Sequence, residues 1–198
     1  MNSILISIKP KWAAKILNGD KTAEIRRTAP KNWKDYLSGK TKVKPEPMTG
    51  YIYCTKTIKP LSNYDWGDFT FEDLPKLGKV VACFTLNEIE EICFAPFGDE
   101  LSEEEERLCS ESCLSVGELV GYLRDGMFGY AYHISDLQIF DEPMELAEFS
   151  PYRKYGIGDY FEGNETEYLT LDEIDKALFP KPLAKAPYSW CYVEVNKK

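Results

Sequence analysis

Histidine is nearly absent from this chain: His133 is the only one in 198 residues. A metal centre built on two or more imidazoles is therefore excluded, and a nucleophile–base–acid triad has a single candidate base with no sequence partner. No apolar run approaches the length that crosses a bilayer as a helix. The first residues lack the basic start, apolar stretch and small-residue cleavage site of a signal peptide. Six cysteines are present, in no tight disulfide framework. With no export signal, the expectation is a cytoplasmic protein with reduced thiols and no membrane association.

Positive charge is also scarce overall, with 24 Lys/Arg against 33 Asp/Glu and a net charge of −9. The distribution is lopsided. Residues 1–60 hold 13 Lys/Arg against 4 Asp/Glu, a net of +9, and residues 61–198 hold 11 against 29, a net of −18. An acidic protein is a poor general nucleic-acid binder, but a local basic face remains compatible with a nucleotide or a short RNA segment. A hydrophobic fraction of 43% and an aromatic fraction of 14% describe a globular chain. At this length it reads as one domain, 1–198, with a substantial core.

The segment that carries most information runs from Gly19 to Arg26. An alternating run, 4–9, predicts a strand, and Pro10 opens a short helix over 10–18 that stops at Asn18-Gly19. A second strand over 21–27 would place Thr22, Glu24 and Arg26 on one face by its period of two. Lys21 offers a point charge, Glu24 an acceptor or general base, and Arg26 a planar fork for phosphate or carboxylate. Lys9 is a possible fourth member. The alternative is a salt-bridge network that pins the first helix to the rest of the fold.

Further along, residues 28–48 read as a basic loop with one helical turn, and 50–56 as a strand. Residues 79–92 read as one long strand bent near Asn87, and 130–140 as another. Ser102 with Glu105, and Ser115 with Glu118, fit capping boxes opening helices over 101–108 and 115–123. A short helix over 171–179 and a last strand over 188–195 complete the pattern. An aromatic insertion, 64–71, reads as a binding rim or as a lid packed on itself.

The octet Gly19-x-Lys21-x-x-Glu24-x-Arg26 resembles that of the ASCH domain, a PUA-related β-barrel family. Four further segments extend the resemblance in the right order: Tyr51–Lys56, Gly78–Ala82, Gly129–Ile134 leading to Phe140–Pro143, and Ala186–Val193. The last of these is similar to the closing strand of phage and prophage members. The implied fold is α+β: a PUA-like mixed β-barrel with flanking helices and insertions near 28–48, 60–77, 94–125 and 147–185. The implied function is binding of RNA or a nucleotide-derived ligand, with no cofactor.

Some ASCH proteins are amidohydrolases that cleave acylated cytidine such as N4-acetylcytidine. The resemblance implies their lysine at Lys21, but their threonine nucleophile falls at Glu24. Lys21 with Glu24 as base toward water is therefore the catalytic alternative, ranked below binding. A third alternative is a protein-interaction module using the acidic half.

Three other groups complete the candidates. His133, on a strand, faces opposite to Tyr132 and Ile134; it is a hydrogen-bonding residue or a contact to a base. Ser189 and Trp190 begin the last strand, which would pair beside the first; Trp190 either stacks on a base or fills the core, and Trp12 has the same two readings. Cys109 and Cys113 lie one helical turn apart, but no second tight pair completes a zinc site with Cys83, Cys93 or His133, so no metal is expected.

Overall fold

The computed structural model describes residues 3–56, 67, 70–94, 100–124, 127–151 and 181–196. The expected helix over 171–179 and most of the aromatic insertion lie outside them. The first strand, β1 (Ser3–Ile8), is followed by helix α1 (Pro10–Leu17), strand β2 (Ala23–Arg26) and helix α2 (Lys31–Leu37). Strands β3 (Met48–Cys54), β4 (Lys79–Leu86) and β5 (Ile89–Cys93) come next, then helices α3 (Glu103–Ser112) and α4 (Val116–Leu123). Strands β6 (Phe128–His133), β7 (Ser135–Glu145), β8 (Phe149–Pro151) and β9 (Trp190–Val195) end the fold.

The strands form two sheets. Six are ordered β7-β4-β3-β1-β9-β8, and three are ordered β2-β6-β5. This corrects the expectation of a barrel: among the described residues the sheets do not close into one. Two supposed single strands are each divided between the sheets. The 79–92 stretch turns at Asn87-Glu88, sending β4 to one sheet and β5 to the other. The 130–140 stretch breaks at Ile134 in the same way.

β1 is the keystone. It runs parallel to β3 and antiparallel to β9, so first and last strands are neighbours, as the sequence suggested. A strand covered on both faces reads as a nearly unbroken apolar run. Accordingly Ile4, Ile6 and Ile8 enter a core with α1, α2 and Tyr132, while Leu5 enters a second with Phe149 and Val193. A third core fills the space between the small sheet and α3/α4, through Ala23, Ile25, Ala131, Leu108 and Leu119. Both capping boxes are present, at Ser102/Glu105 and Ser115/Glu118.

α2 is longer than the one turn expected of the 28–48 loop, and Trp33 anchors it at 1% exposure. Trp33 and the partly buried Tyr36 and Leu37 are spaced as one helical face, all packed on the first core.

Candidate functional site

The end of α1 sets the site. Gly19, at φ +82°, turns the chain through the left-handed region that glycine enters without steric cost. Asp20 and Lys21 then both donate their backbone N–H to Lys15 O, at 2.9 and 3.0 Å. Lys21 is thus wound onto the helix end, and β2 begins only at Ala23. The strand therefore starts two residues later than the expected Lys21. Thr22 is exposed and is held through its backbone, its N–H donating to Glu111 O at 2.9 Å. Its carbonyl accepts the Ile134 N–H at 2.9 Å, in register with the β2–β6 pairing, and its side chain is exposed where Glu24 and Arg26 are buried.

Lys21 points inward and is 2% exposed. Its ammonium donates to Ser112 O at 2.7 Å and Ala23 O at 2.9 Å, and it pairs with Glu24 Oε2 at 3.2 Å. An ammonium has three donors, so all three are used. Ser112 is the last residue of α3, where the helix's free carbonyls and dipole favour a cation. α3 has no basic residue in its own last turn, and Lys21 fills that place.

β2 presents Ala23 and Ile25 to α3 and α4, and Glu24 and Arg26 to the opposite side. There Arg26 donates from one terminal nitrogen to Ser7 O at 2.7 Å, and that nitrogen also pairs with Glu24 Oε1 at 3.0 Å. The other donates to Ser189 Oγ at 3.3 Å. The β1–β9 register explains this meeting. Ile6 lies opposite Trp190, and Ser7 N–H donates to Ser189 O at 2.9 Å, so residues 7 and 189 face Arg26 together. The third guanidinium nitrogen, Nε, is buried and its N–H has no partner.

Aromatic groups surround the network. Trp190 donates its indole N–H to Thr28 Oγ1 at 3.2 Å and packs edge-on against Tyr192. Tyr132, opposite Glu24 across the strands, donates to Thr28 O at 2.8 Å. The Trp12 ring lies 5.7 Å from the Lys21 ammonium. Tyr122 of α4, unmarked by any sequence signal, stands beside Arg26 and Glu24; burial raises its pKa, so the phenol stays protonated.

Two expected members stand apart. Lys9 is exposed at the start of α1, and none of its side-chain contacts reaches the network. His133 lies opposite Ala23, on the other face of β6 from Tyr132. Its Nε2 is 3.2 Å from Glu90 Oε2, and Arg107 bridges Glu90 and Glu111 at 2.7 and 3.0 Å. These partners come from β5 and α3, far from His133 in sequence. Among the described residues no His/Cys/Asp/Glu group is arranged to hold a metal, and all six cysteines are free thiols. Also among the described residues, no helix is long and apolar enough to cross a membrane.

The architecture matches solved structures. The crystal structure of ASCH from Zymomonas mobilis superposes with a TM-score of 0.51 at 16% identity, covering 97% of this chain and 87% of that one. A point mutant of that protein gives 0.50 at 16% identity, covering 98% and 91%. The fold is ASCH-like. No protein-family model and no curated protein matches the sequence. At such low identity the likeness concerns backbone arrangement alone. In this ASCH-like fold the Lys21–Glu24–Arg26 network sits where β2, β1, β9 and α3 converge.

Proposed function

We propose that this chain binds a nucleobase-bearing ligand, a nucleotide or a single RNA strand, beside the largely buried Glu24 and Arg26. One observation carries the reading. The network buries two cations against one carboxylate and leaves a guanidinium N–H unmatched. Excess buried charge and an orphaned donor are costly, and an anionic or carbonyl acceptor relieves both. The neighbouring Tyr122, which hydrogen-bonds Arg26 as a neutral phenol, adds an acceptor but no negative charge. Tyr122 and Trp190 offer aromatic surface for a base beside it. Lys21 acts as a positioning residue that fixes Glu24. The ASCH-like fold agrees with the RNA-linked role that the family resemblance implies.

The test is calorimetric titration with the four ribonucleoside monophosphates and a short oligoribonucleotide. Arg26→Lys keeps the charge and loses the fork, and is expected to weaken binding about tenfold or more. Trp190→Leu, outside the buried charges, is expected to weaken it as well. Absence of binding by folded wild-type protein would reject the proposal. Turnover of N4-acetylcytidine that disappears in Glu24→Gln would replace it with the amidohydrolase.

A further inference from the structure

A recess lies on the basic side of the chain. Between α2 and strands β5 and β6 is an open depression of about 590 Å³, lined by Lys31, Lys34, Asp35, Glu91 and Tyr130 among others. We propose that this depression is a second nucleotide subsite, which seats a neighbouring unit of the single RNA strand held at Arg26. This rests on the reading of the Arg26 site and extends it from a nucleotide to a polynucleotide.

Position is the first reason. Tyr130 is the direct cross-strand partner of Arg26 on one side and of Glu91 on the other. Arg26, Tyr130 and Glu91 therefore form one row across the small sheet, and paired residues in such a row stand about 5 Å apart. β9 joins the two places from above. Trp190 reaches Thr28 just after Arg26, and the Tyr192 hydroxyl reaches Asn32 Oδ1 of α2 at 3.4 Å.

Chemistry is the second. Residues 31–44 carry five lysines against one aspartate in a chain that is acidic overall. That aspartate, Asp35, is matched by Lys31 at 2.7 Å and Lys40 at 3.4 Å, and the hydrogen bond from Lys31 leads in holding its pKa below the ordinary carboxylate value. Lys31 is 79% exposed, so its ammonium is free to turn toward a phosphate as well. Lys34 is exposed beside it, and Lys42 and Lys44 are exposed further along. Tyr130 is half-buried at the recess and gives a ring for a base, while Glu91 can accept from a base amino group. An acidic peptide could use the lysines, but RNA also offers bases for the Tyr130 ring, so the observations favour RNA.

The experiment uses the full chain, with a fluorescein-labelled oligouridylate and uridine monophosphate as probes. Lys31→Gln with Lys34→Gln should weaken the oligonucleotide severalfold. It should also flatten the dependence of log K on log salt by about 1.4, at about 0.7 per phosphate contact on a single strand. Tyr130→Leu should weaken the oligonucleotide roughly tenfold. Neither change should alter the affinity for uridine monophosphate, which needs the Arg26 site alone. Unchanged oligonucleotide affinity and slope, with monophosphate binding intact, would overturn the second subsite and leave the first standing. Failure of wild-type protein to bind either probe would overturn both. Tight binding of poly-glutamate in place of the oligonucleotide would assign the lysines to a protein partner and overturn the subsite.

Discussion

The ammonium of Lys21 donates to the carbonyl of Ser112 at 2.7 Å, across 91 positions of sequence. One side chain thereby closes the C-terminus of α3 and holds the Glu24 carboxylate that in turn braces Arg26. The network is built on this pin: Lys21 ties β2 to α3, and Arg26 ties β2 to Ser7 and Ser189.

Removing that pin should be costly. Lys21→Met keeps the stem and deletes the charge. It leaves two buried carbonyls unmatched and Glu24 with one cation. Urea unfolding should show a loss of about 3–5 kcal/mol, the range for breaking a buried ion pair. A loss below about 1 kcal/mol, the range of a surface pair, would mean that the network does not hold α3.

Glu118 caps α4, and its carboxyl lies below the usual range, chiefly because it accepts the Ser115 backbone N–H. A depressed carboxyl stabilises the fold above its unfolded pKa, and that contribution disappears as pH falls through the folded value. Glu118→Ala should therefore lower stability by about 0.5–1 kcal/mol at neutral pH, and the gap to wild type should narrow on acidification toward about pH 3. Denaturation curves at both pH values decide it; a gap that persists in acid contradicts it.

Gly50 sits opposite Phe84 in the β3–β4 pairing. A Cβ on Gly50 would fall within the Phe84 ring. Gly50→Ala is expected to cost about 1–3 kcal/mol by overpacking, read as a lower thermal midpoint. An unchanged midpoint would show that the ring swings aside freely.

Cysteine reactivity should divide by burial. The Cys54 thiol is buried and its pKa is pushed up to about 12, mainly by desolvation. Cys93 is exposed. Iodoacetamide at about pH 8 should label Cys93 in the native protein and reach Cys54 only after unfolding, because the thiolate is the nucleophile. Mass spectrometry of the labelled peptides checks this.

Much of the site was legible because its signals are local. The octet, the turn at Gly19, the apolar run of β1 and both Ser-x-x-Glu boxes each lie within a few residues. The errors arose where distant contacts decide. Lys21 reads as strand, because its backbone bond to Lys15, which extends the helix end, is not visible as a pattern. Asn87 reads only as a bend, and 130–140 as one unbroken strand, since a change of sheet depends on which strand waits on each side. Tyr122 carried no signal, being brought to Arg26 only by the packing of α4. α2 was within reach: Trp33, Tyr36 and Leu37 have helical spacing, which the lysines and prolines around them obscured.

The central claim is that Arg26 and its spare N–H bind a nucleobase-bearing anion. The most direct measurement is an anisotropy titration of labelled oligouridylate against wild-type protein and Arg26→Lys, with circular dichroism confirming that both are folded. The account predicts saturable binding by wild type, weakening as salt rises, and a loss of about tenfold or more in the variant. Equal affinity in the two proteins, or no binding by either, would contradict it.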